Sequence, residues 1–199
     1  MRALLYDVLI VPLTSAWYDA VLTRVPVGSR VLDVGIGTGG ALLKHALRLS
    51  RLDLRVTGID IDADYIARCT REIRRRGMTQ QVQAQRESVY DHRGGPYDAV
   101  YFSGSFMLLP DPAAAVRHVA SLLTPNGRIY FTQTFEHERS RVVEVVKPLL
   151  RRLTTIDFGR VTYEADFLAA LADAGITLAE RVVLHAGRRR SALLLAARK

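Results

Sequence analysis

The sequence has very little cysteine: Cys69 stands alone among 199 residues. One cysteine excludes an intrachain disulfide and a zinc site built from several thiolates, and it is compatible with a reducing compartment. No apolar run approaches the roughly 18 residues that a membrane-spanning helix needs. Internal repeats, low-complexity tracts and linkers are also missing, so the length predicts one domain.

The charge is unbalanced toward arginine. The chain carries 28 Lys and Arg against 20 Asp and Glu, which gives a formal charge of +8. A basic surface attracts nucleic acid, anionic lipid or acidic small molecules. The arginine runs are short and are not interleaved with exposed aromatics, so we identify no nucleic-acid module. A solvated surface is the simpler interpretation, and peripheral contact with an anionic membrane remains compatible with the charge.

The N-terminal segment MRALLYDVLIVPLTSAW has some features of a signal peptide. Asp7 interrupts its apolar stretch, and Pro12 closes the stretch early. We therefore interpret it as a helix of the mature fold that covers a site. The expected location is cytoplasmic or organellar, and the protein is not expected to be secreted.

Strand and helix patterns alternate along the chain, which predicts a mostly parallel sheet with helices on both faces. The predicted strands cover 30–35, 54–61, 80–88, 97–104, 127–135, 176–185 and 191–198. The predicted helices cover 40–50, 62–77, 111–127 and 163–175, and Cys69 lies on the apolar face of the second. Five residues separate the last two strands, so they should form an antiparallel hairpin.

The stretch VLDVGIGTGG at 31–40 joins a strand to a helix through glycines. Glycine lets a ligand approach the main chain, and the following helix directs its free N–H groups toward that ligand. Gly35, Gly37 and Gly40 satisfy the dinucleotide pattern G-x-G-x-x-G. Asp60 follows Gly40 by twenty residues at the end of the next strand, where a carboxylate accepts ribose hydroxyls. These features predict a nucleoside-containing cofactor, and NAD satisfies them too.

Three observations disfavour NAD without excluding it. Asp33 lies two residues before Gly35, where its charge repels a pyrophosphate but suits a ligand with an ammonium and a sulfonium. The chain has no length for a separate substrate domain, and an antiparallel last strand is absent from standard dinucleotide domains.

The order of these motifs resembles class I S-adenosylmethionine-dependent methyltransferases over residues 30–135. The motifs are DVGIGTG at 33–39, GID at 58–60, YDAVYFSGSFMLLPDP at 97–112 and GRIYFTQT at 127–134. Tyr6-Asp7 and Trp17 resemble the lead-in of ubiquinone- and menaquinone-type methyltransferases. The resemblance implies a Rossmann-like, doubly wound, seven-stranded α/β sheet whose C-terminal hairpin strand is antiparallel. It also implies one domain, with an N-terminal helical lid (1–28), a cofactor-binding core (29–135) and a substrate-side segment with the closing hairpin (136–199).

The same resemblance implies S-adenosylmethionine as the cofactor and assigns roles to individual residues. Gly35, Gly37 and Gly39 form the loop under its methionine part, and Asp33 interacts with the amino group. Asp60 binds the ribose hydroxyls and Ile61 flanks the adenine; a helix cap is the alternative for Asp60.

The remaining assignments concern the adenine and the reacting end of the cofactor. Where the family has Gly-Asp-Ala after the third strand, this chain has Arg86-Glu87-Ser88, so Glu87, or Ser88 one position on, reads the adenine amino group. Ser103 lies near the amino or sulfonium end, and Tyr6 and Trp17 close over the cofactor. The alternatives are a solvated acid for Glu87 and ordinary core aromatics for Tyr6 and Trp17.

Methyl transfer from a sulfonium is an in-line displacement that mainly needs alignment and exclusion of water. The fourth strand leads into Ser103-Gly104-Ser105-Phe106, without the Pro-Pro-Tyr run of amino-methylating enzymes. We therefore expect a small organic acceptor, hydrophobic or anionic. His137 has the intrinsic pKa of a general base and is otherwise a surface histidine. A non-catalytic cofactor-binding module and an RNA or protein methyltransferase remain alternatives.

Overall fold

A computed structural model describes residues 11–136, 162–188 and 190–198. The helices are α1 (Val11–Leu22), α2 (Gly40–Leu43), α3 (Ala46–Arg51), α4 (Ala63–Arg75), α5 (Pro112–Ser121) and α6 (Glu164–Asp173), and Phe106–Leu108 form a 3-10 turn. The strands are β1 (Arg30–Val34), β2 (Arg55–Asp60), β3 (Val82–Arg86), β4 (Tyr97–Ser103), β5 (Leu123–Glu136), β6 (Thr177–Ala186) and β7 (Arg190–Arg198).

The described strands form one seven-stranded sheet in the order β3-β2-β1-β4-β5-β7-β6. Neighbouring strands from β3 to β5 pair in parallel. Strand β7 runs antiparallel to both β5 and β6. This topology confirms the predicted Rossmann-like fold with an antiparallel C-terminal hairpin. The strand order reverses beside β1, and ligands of such sheets bind outside the carboxyl ends of the strands at that point.

Two apolar layers cover the two faces of the sheet. Alternate residues of β1 and β4 contribute to each layer, as the two-residue period of a strand requires. Val31 and Tyr101 pack with α1 and α4 on one face, and Leu32 and Phe102 pack with α5 and α6 on the other. Asp33 is the one carboxylate in strand β1, and it lies on the α1 side with only 1% of its surface exposed.

The prediction of one helix over 40–50 was wrong. The chain forms α2 and α3, two short helices that break around His45. The His45 ring turns back onto α1, where Nε2 lies 2.9 Å from the Ser15 carbonyl oxygen. That contact places His45 against α1. Because the helix is broken, Leu47 of α3 is 77% exposed.

The prediction of a helix over 111–127 was too long. Helix α5 ends at Ser121, and β5 begins at Leu123. Tyr97 at the start of β4 donates its backbone N–H to the Leu122 carbonyl at 2.8 Å, which recruits the following residues into the sheet. The turn residues Pro125–Gly127 therefore lie in an irregular part of β5, where the register with β4 shifts.

Helix starts follow the sequence signals closely. The Asp62 carboxylate accepts hydrogen bonds from the Asp64 and Tyr65 amides at the start of α4. Asp111 accepts from the Ala114 amide at the start of α5, where Pro112 occupies the first turn. Side-chain oxygens at this position satisfy N–H groups that have no partner inside the helix.

Candidate functional site

The loop between β1 and α2 is held in a conformation that favours glycine. Gly35, Gly37 and Gly39 have φ angles of 81°, 59° and 71°, in the left-handed region that other residues enter at a cost. Space is also missing, because a Cβ on Gly35 would lie 2.6 Å from the Ser105 Cβ and one on Gly39 would lie 2.5 Å from the Cys69 Sγ. The glycines therefore bring this backbone close to its surroundings at the switch point of the sheet.

The structure confirms the prediction that Cys69 is a core residue. Its side chain is fully buried on α4. Burial raises the pKa of the Cys69 thiol to about 12, and the nearby carboxylates of Asp33 and Asp60 add to that shift. A thiol with such a pKa remains protonated and unreactive at neutral pH.

Asp33 presents an unsatisfied carboxylate oxygen beside the glycine loop. The Tyr18 hydroxyl of α1 donates to Oδ2 at 2.6 Å. The other oxygen, Oδ1, is buried and accepts no hydrogen bond from the described residues. Burial raises the pKa of Asp33 to about 7; the hydrogen bond from Tyr18 lowers it and the charge of Asp60 raises it. A cationic donor placed at Oδ1 would satisfy the oxygen and favour the ionised form.

Asp60 braces the glycine loop from the end of β2. Its Oδ2 accepts the Gly37 amide at 3.0 Å, and its Oδ1 accepts the Asp62 amide at 2.9 Å. Burial raises the pKa of Asp60, and these backbone hydrogen bonds oppose the rise. The cap of α4 is Asp62, so Asp60 does not act as a helix cap. Each carboxylate oxygen has a second lone pair for another donor.

Residues after β2 and β3 continue the same edge of the sheet. Ile61 is 72% exposed, an unusual position for a large apolar side chain. Glu87 lies next to Asp60, because its amide donates to the Asp60 carbonyl at 3.0 Å. The Glu87 carboxylate is bound by His92 at 2.6 Å, so it is not a freely solvated acid. The Ser88 hydroxyl accepts the Tyr90 amide and shapes the turn that follows.

Helix α1 packs against the glycine loop. A small pocket at this junction is lined by Thr14, Tyr18, Gly35, Ile36, Thr38, Gly40, Ala41 and Ser103. The Ser103 hydroxyl oxygen is buried there, close enough to the Tyr101 hydroxyl to lower the pKa of that tyrosine. Trp17 is 6% exposed and packs against Gly104 at the end of β4. The structure thus brings together Asp33, the three glycines, Asp60 and Ser103. Ile61 and Glu87 extend this site along the same edge of the sheet.

Two predicted residues, Tyr6 and His137, lie outside the described residues. Two residues of this site escaped sequence reasoning. Tyr18 follows the predicted Trp17 by one position, and its signal was the four-residue spacing from Thr14, which puts both on one helix face. His92 had no usable signal, because its five-residue spacing from both Glu87 and Tyr97 matches neither a helix nor a strand.

The described ranges contain no group of three or more His, Cys, Asp or Glu side chains that could hold a metal ion. Over the same ranges, no helix is both long and apolar enough to cross a bilayer.

The electrostatics of the site select among nucleoside ligands. Asp33 and Asp60 place two carboxylates beside one glycine loop, and each raises the pKa of a shared neighbour, the Cys69 thiol. A pyrophosphate at this position would add negative charge next to them, whereas an ammonium or sulfonium would offset them. The unpartnered Asp33 Oδ1 fits the ammonium of an amino-acid moiety.

Comparisons with known proteins agree with this geometry. Residues 31–127 match a family model described as a methyltransferase domain. The chain is 36% identical over 110 residues to a ubiquinone biosynthesis O-methyltransferase of Xanthomonas axonopodis pv. citri, covering 54% of this chain but 44% of that protein. A protein of the same name from Acinetobacter baumannii is 27% identical over 181 residues, covering 87% of this chain and 74% of that protein.

The chain thus spans less than half the length of the Xanthomonas relative that it matches. Among solved structures, a geranyl diphosphate methyltransferase in complex with SAM superposes with a TM-score of 0.74 and 18% identity, covering 92% of this chain and 84% of the other. At that identity the likeness concerns the fold. Taken with the matching domain and the strand order, this likeness shows that the chain is similar to class I S-adenosylmethionine-dependent methyltransferases.

Proposed function

We propose that this protein transfers a methyl group from S-adenosylmethionine to a hydroxyl oxygen of a small organic acceptor. The observation that carries the cofactor assignment is the buried, unpartnered Oδ1 of Asp33 beside the glycine loop. An oxygen acceptor is supported by the relatives, which are named O-methyltransferases. A small-molecule acceptor is consistent with that name as well.

In this proposal, different residues of the site bind different parts of the cofactor. Asp33 Oδ1 receives the ammonium, and the main chain of the loop with Gly35, Gly37 and Gly39 lies under the methionine part. Asp60 accepts the ribose hydroxyls with the lone pairs that its two backbone donors leave. Ile61 and Glu87 flank the adenine, with Ser88 beside them, and Ser103 lies toward the reacting end.

When bound, the cofactor supplies an electrophilic methyl group on a positively charged sulfur. The chain's own contribution is orientation and exclusion of water. Helix α1 contributes to the exclusion of water, because Trp17 and Tyr18 are buried over the loop and the end of β4. The carboxylate of Asp33 matches the ammonium group of the ligand.

The acceptor is expected at the carboxyl end of β4, beyond Ser103. The 3-10 turn there presents Leu108, which is 45% exposed, next to the partly buried Met107. Apolar side chains at this position suit an acceptor with a hydrophobic part. The proposed general base, His137, and the division into a lid (1–28), a core (29–135) and a substrate-side segment (136–199) stay predictions.

Two alternative functions are tested by the experiments described below. A non-catalytic module would keep the glycine loop and Asp60 and therefore bind the cofactor without turnover. An RNA or protein methyltransferase would draw on the net charge of +8. The proposal favours a small acceptor because the relatives are named ubiquinone biosynthesis O-methyltransferases.

The first experiment is thermal stabilisation of the purified protein with S-adenosylmethionine, S-adenosylhomocysteine and NAD. A ligand at about a hundred times its dissociation constant adds roughly 2.7 kcal/mol to stability. We expect stabilisation by the two sulfur nucleosides, and a smaller shift in Asp60→Ala. Asp111→Ala is the control, because it removes another carboxylate that holds a backbone amide, at the start of α5. Stabilisation by NAD alone would overturn the cofactor assignment.

Turnover is then measured with methyl-labelled cofactor against phenols with short and long alkyl tails, phenols with a carboxylate, bulk RNA and a protein extract. The proposal expects a mass increase of one methyl on a phenol and none on RNA. Cofactor binding without transfer to any phenol, together with methylated RNA or protein, would overturn the acceptor class.

A further inference from the structure

Glu87 occupies a ligand-accessible position at the cofactor edge of the sheet. Its amide is tied to the Asp60 carbonyl at 3.0 Å, and 30% of its side chain is exposed. The exposed Ile61 follows Asp60 on the neighbouring strand. A flat apolar group resting on Ile61 would therefore have the Glu87 carboxylate within reach of its edge.

Behind Glu87 lies a buried histidine that contacts it directly. His92 is 3% exposed, and its Nδ1 lies 2.6 Å from Glu87 Oε2. Its Nε2 lies 2.8 Å from the Tyr97 hydroxyl, and the two rings stack at an interplanar angle of 28°. The ring is thus fixed on both nitrogens and on one face.

The direction of these hydrogen bonds follows from the chemistry of the groups. An ionised carboxylate only accepts, so Nδ1 carries a hydrogen and donates to Glu87. In the neutral ring Nε2 then accepts from the Tyr97 hydroxyl, and in the protonated ring it donates to the same oxygen. Glu87 receives a hydrogen bond in both states and therefore remains an acceptor toward the ligand side.

The second carboxylate oxygen, Oε1, is available to that ligand, because no residue in the described part of the chain makes a hydrogen bond to it. A glutamate side chain has several rotatable bonds, and one anchored oxygen fixes where the other lies. A fixed acceptor attracts an amino group and repels a carbonyl oxygen at the same place.

We propose that His92 is a positioning residue that holds the Glu87 carboxylate as an acceptor for the exocyclic amino group of adenine. This arrangement selects adenine nucleosides over their 6-oxo analogues. The inference rests on the proposed function, since it takes the ligand to be an adenosyl cofactor. The selection of the base would then depend on His92, which contacts Glu87 rather than the ligand.

The test is the ratio of affinities for S-adenosylhomocysteine and S-inosylhomocysteine, measured by titration calorimetry. These probes differ only in the base, which carries an amino group beside an unprotonated N1 in the first and an oxo group beside an N1–H in the second. A hydrogen bond to a charged group corresponds to a factor of about ten or more, so we expect the wild type to favour the adenosyl ligand by at least about tenfold. Glu87→Gln offers an N–H to the oxo group and should lower the ratio to about threefold or less.

Variants of His92 separate positioning from packing. His92→Leu removes the donor and should lower the ratio as Glu87→Gln does. His92→Asn keeps an N–H near the position of Nδ1 and should therefore keep most of the wild-type affinity ratio. Tyr90→Phe is the matched control, because it removes another hydroxyl tether of the same loop, to the backbone of Asp111, without touching His92. Its ratio should equal that of the wild type.

The outcomes distinguish this inference from the proposed function. Equal affinity of the wild type for both ligands, or an unchanged ratio in both Glu87→Gln and His92→Leu, would overturn the role of Glu87 and His92 alone. Absence of any S-adenosylhomocysteine binding would overturn the proposed function and this assignment with it. Should His92→Leu not fold, the partly exposed Glu87 is still tested by Glu87→Gln, and His92 is tested by His92→Asn, which should keep a ratio close to that of the wild type.

Discussion

The Tyr18 hydroxyl donates a 2.6 Å hydrogen bond to Oδ2 of Asp33 and so joins helix α1 to the strand that leads into the glycine loop. The Tyr18 ring also packs edge-on against Tyr101 of β4, with the ring centroids 4.9 Å apart. The bond leaves Asp33 Oδ1 buried and available. Coverage of the loop by α1 and the charge state of Asp33 are therefore coupled through one phenol.

Tyr18→Phe removes this donor while keeping the ring. Because the hydrogen bond lowers the pKa of Asp33, its loss should keep more of the carboxylate protonated at pH 7. We expect the dissociation constant of S-adenosylhomocysteine to rise by about tenfold, as for a lost hydrogen bond to a charged group. Calorimetric titration measures it.

The control for this variant is Tyr130→Phe. The Tyr130 hydroxyl contacts the Arg24 carbonyl at 3.3 Å on the same face of the sheet. Its removal should leave the affinity unchanged. Equal affinities of Tyr18→Phe and the wild type would contradict a role of α1 in binding.

Asp33→Asn should stabilise the ligand-free protein at alkaline pH. The pKa of Asp33 is raised from 3.8 to about 7. Between pH 3.8 and pH 7 the folded state therefore holds a proton on Asp33 that the unfolded state has released. Stability from this group is complete below pH 3.8 and is lost as the pH rises toward 7. Asparagine does not titrate, so the variant's advantage should grow by about 2–3 kcal/mol between pH 5 and pH 8.

Urea denaturation of both proteins at several pH values gives this difference directly. Comparing the two proteins cancels the titration of the remaining acids. A constant difference across the range would mean that Asp33 is already ionised at pH 5.

Cofactor affinity should depend on pH in the opposite sense. An ammonium at Oδ1 favours ionised Asp33, so binding at pH 6 must first remove a proton from a group that titrates at about 7. Below that value we expect affinity to fall by up to about tenfold for each pH unit. Titrations with S-adenosylhomocysteine at pH 6, 7 and 8 test this, and Asp33→Asn should bind weakly and without pH dependence.

Gly39→Ala should cost stability through two separable effects. The φ angle of 71° disfavours alanine, at about 1–2 kcal/mol, and the new Cβ would lie 2.5 Å from the Cys69 Sγ. Gly28→Ala isolates the first effect, since φ is 77° there and nothing lies within 4 Å of its Cβ position. We expect Gly39→Ala to unfold at lower urea concentration than Gly28→Ala.

Adding Cys69→Ala removes the clashing sulfur. The cost of Gly39→Ala should be smaller in the Cys69→Ala background than in the wild type, which is a coupling that a double-mutant cycle measures. Additive costs would show that the loop shifts away from α4 instead.

Local patterns predicted the elements that depend on neighbours in the chain. The apolar runs of β1 and β4 and the caps Asp62 and Asp111 appear where the sequence placed them, because strand burial and helix capping are decided within a few residues. The helix over 40–50 failed, because the break at His45 depends on a contact with Ser15, thirty residues away. The extended start of β5 likewise depends on pairing with Tyr97.

The sequence by itself determined the order of strands and helices, the closing hairpin and the glycine loop with an acid before it. These features follow from backbone periodicity and from conformations that only glycine adopts freely. Tertiary structure alone decided the partners of the acids: Tyr18 on Asp33, the Gly37 amide on Asp60, and the buried His92 behind Glu87. Hydrogen bonds between segments far apart in the chain carry no periodic signal, because they form where folding brings the side chains together.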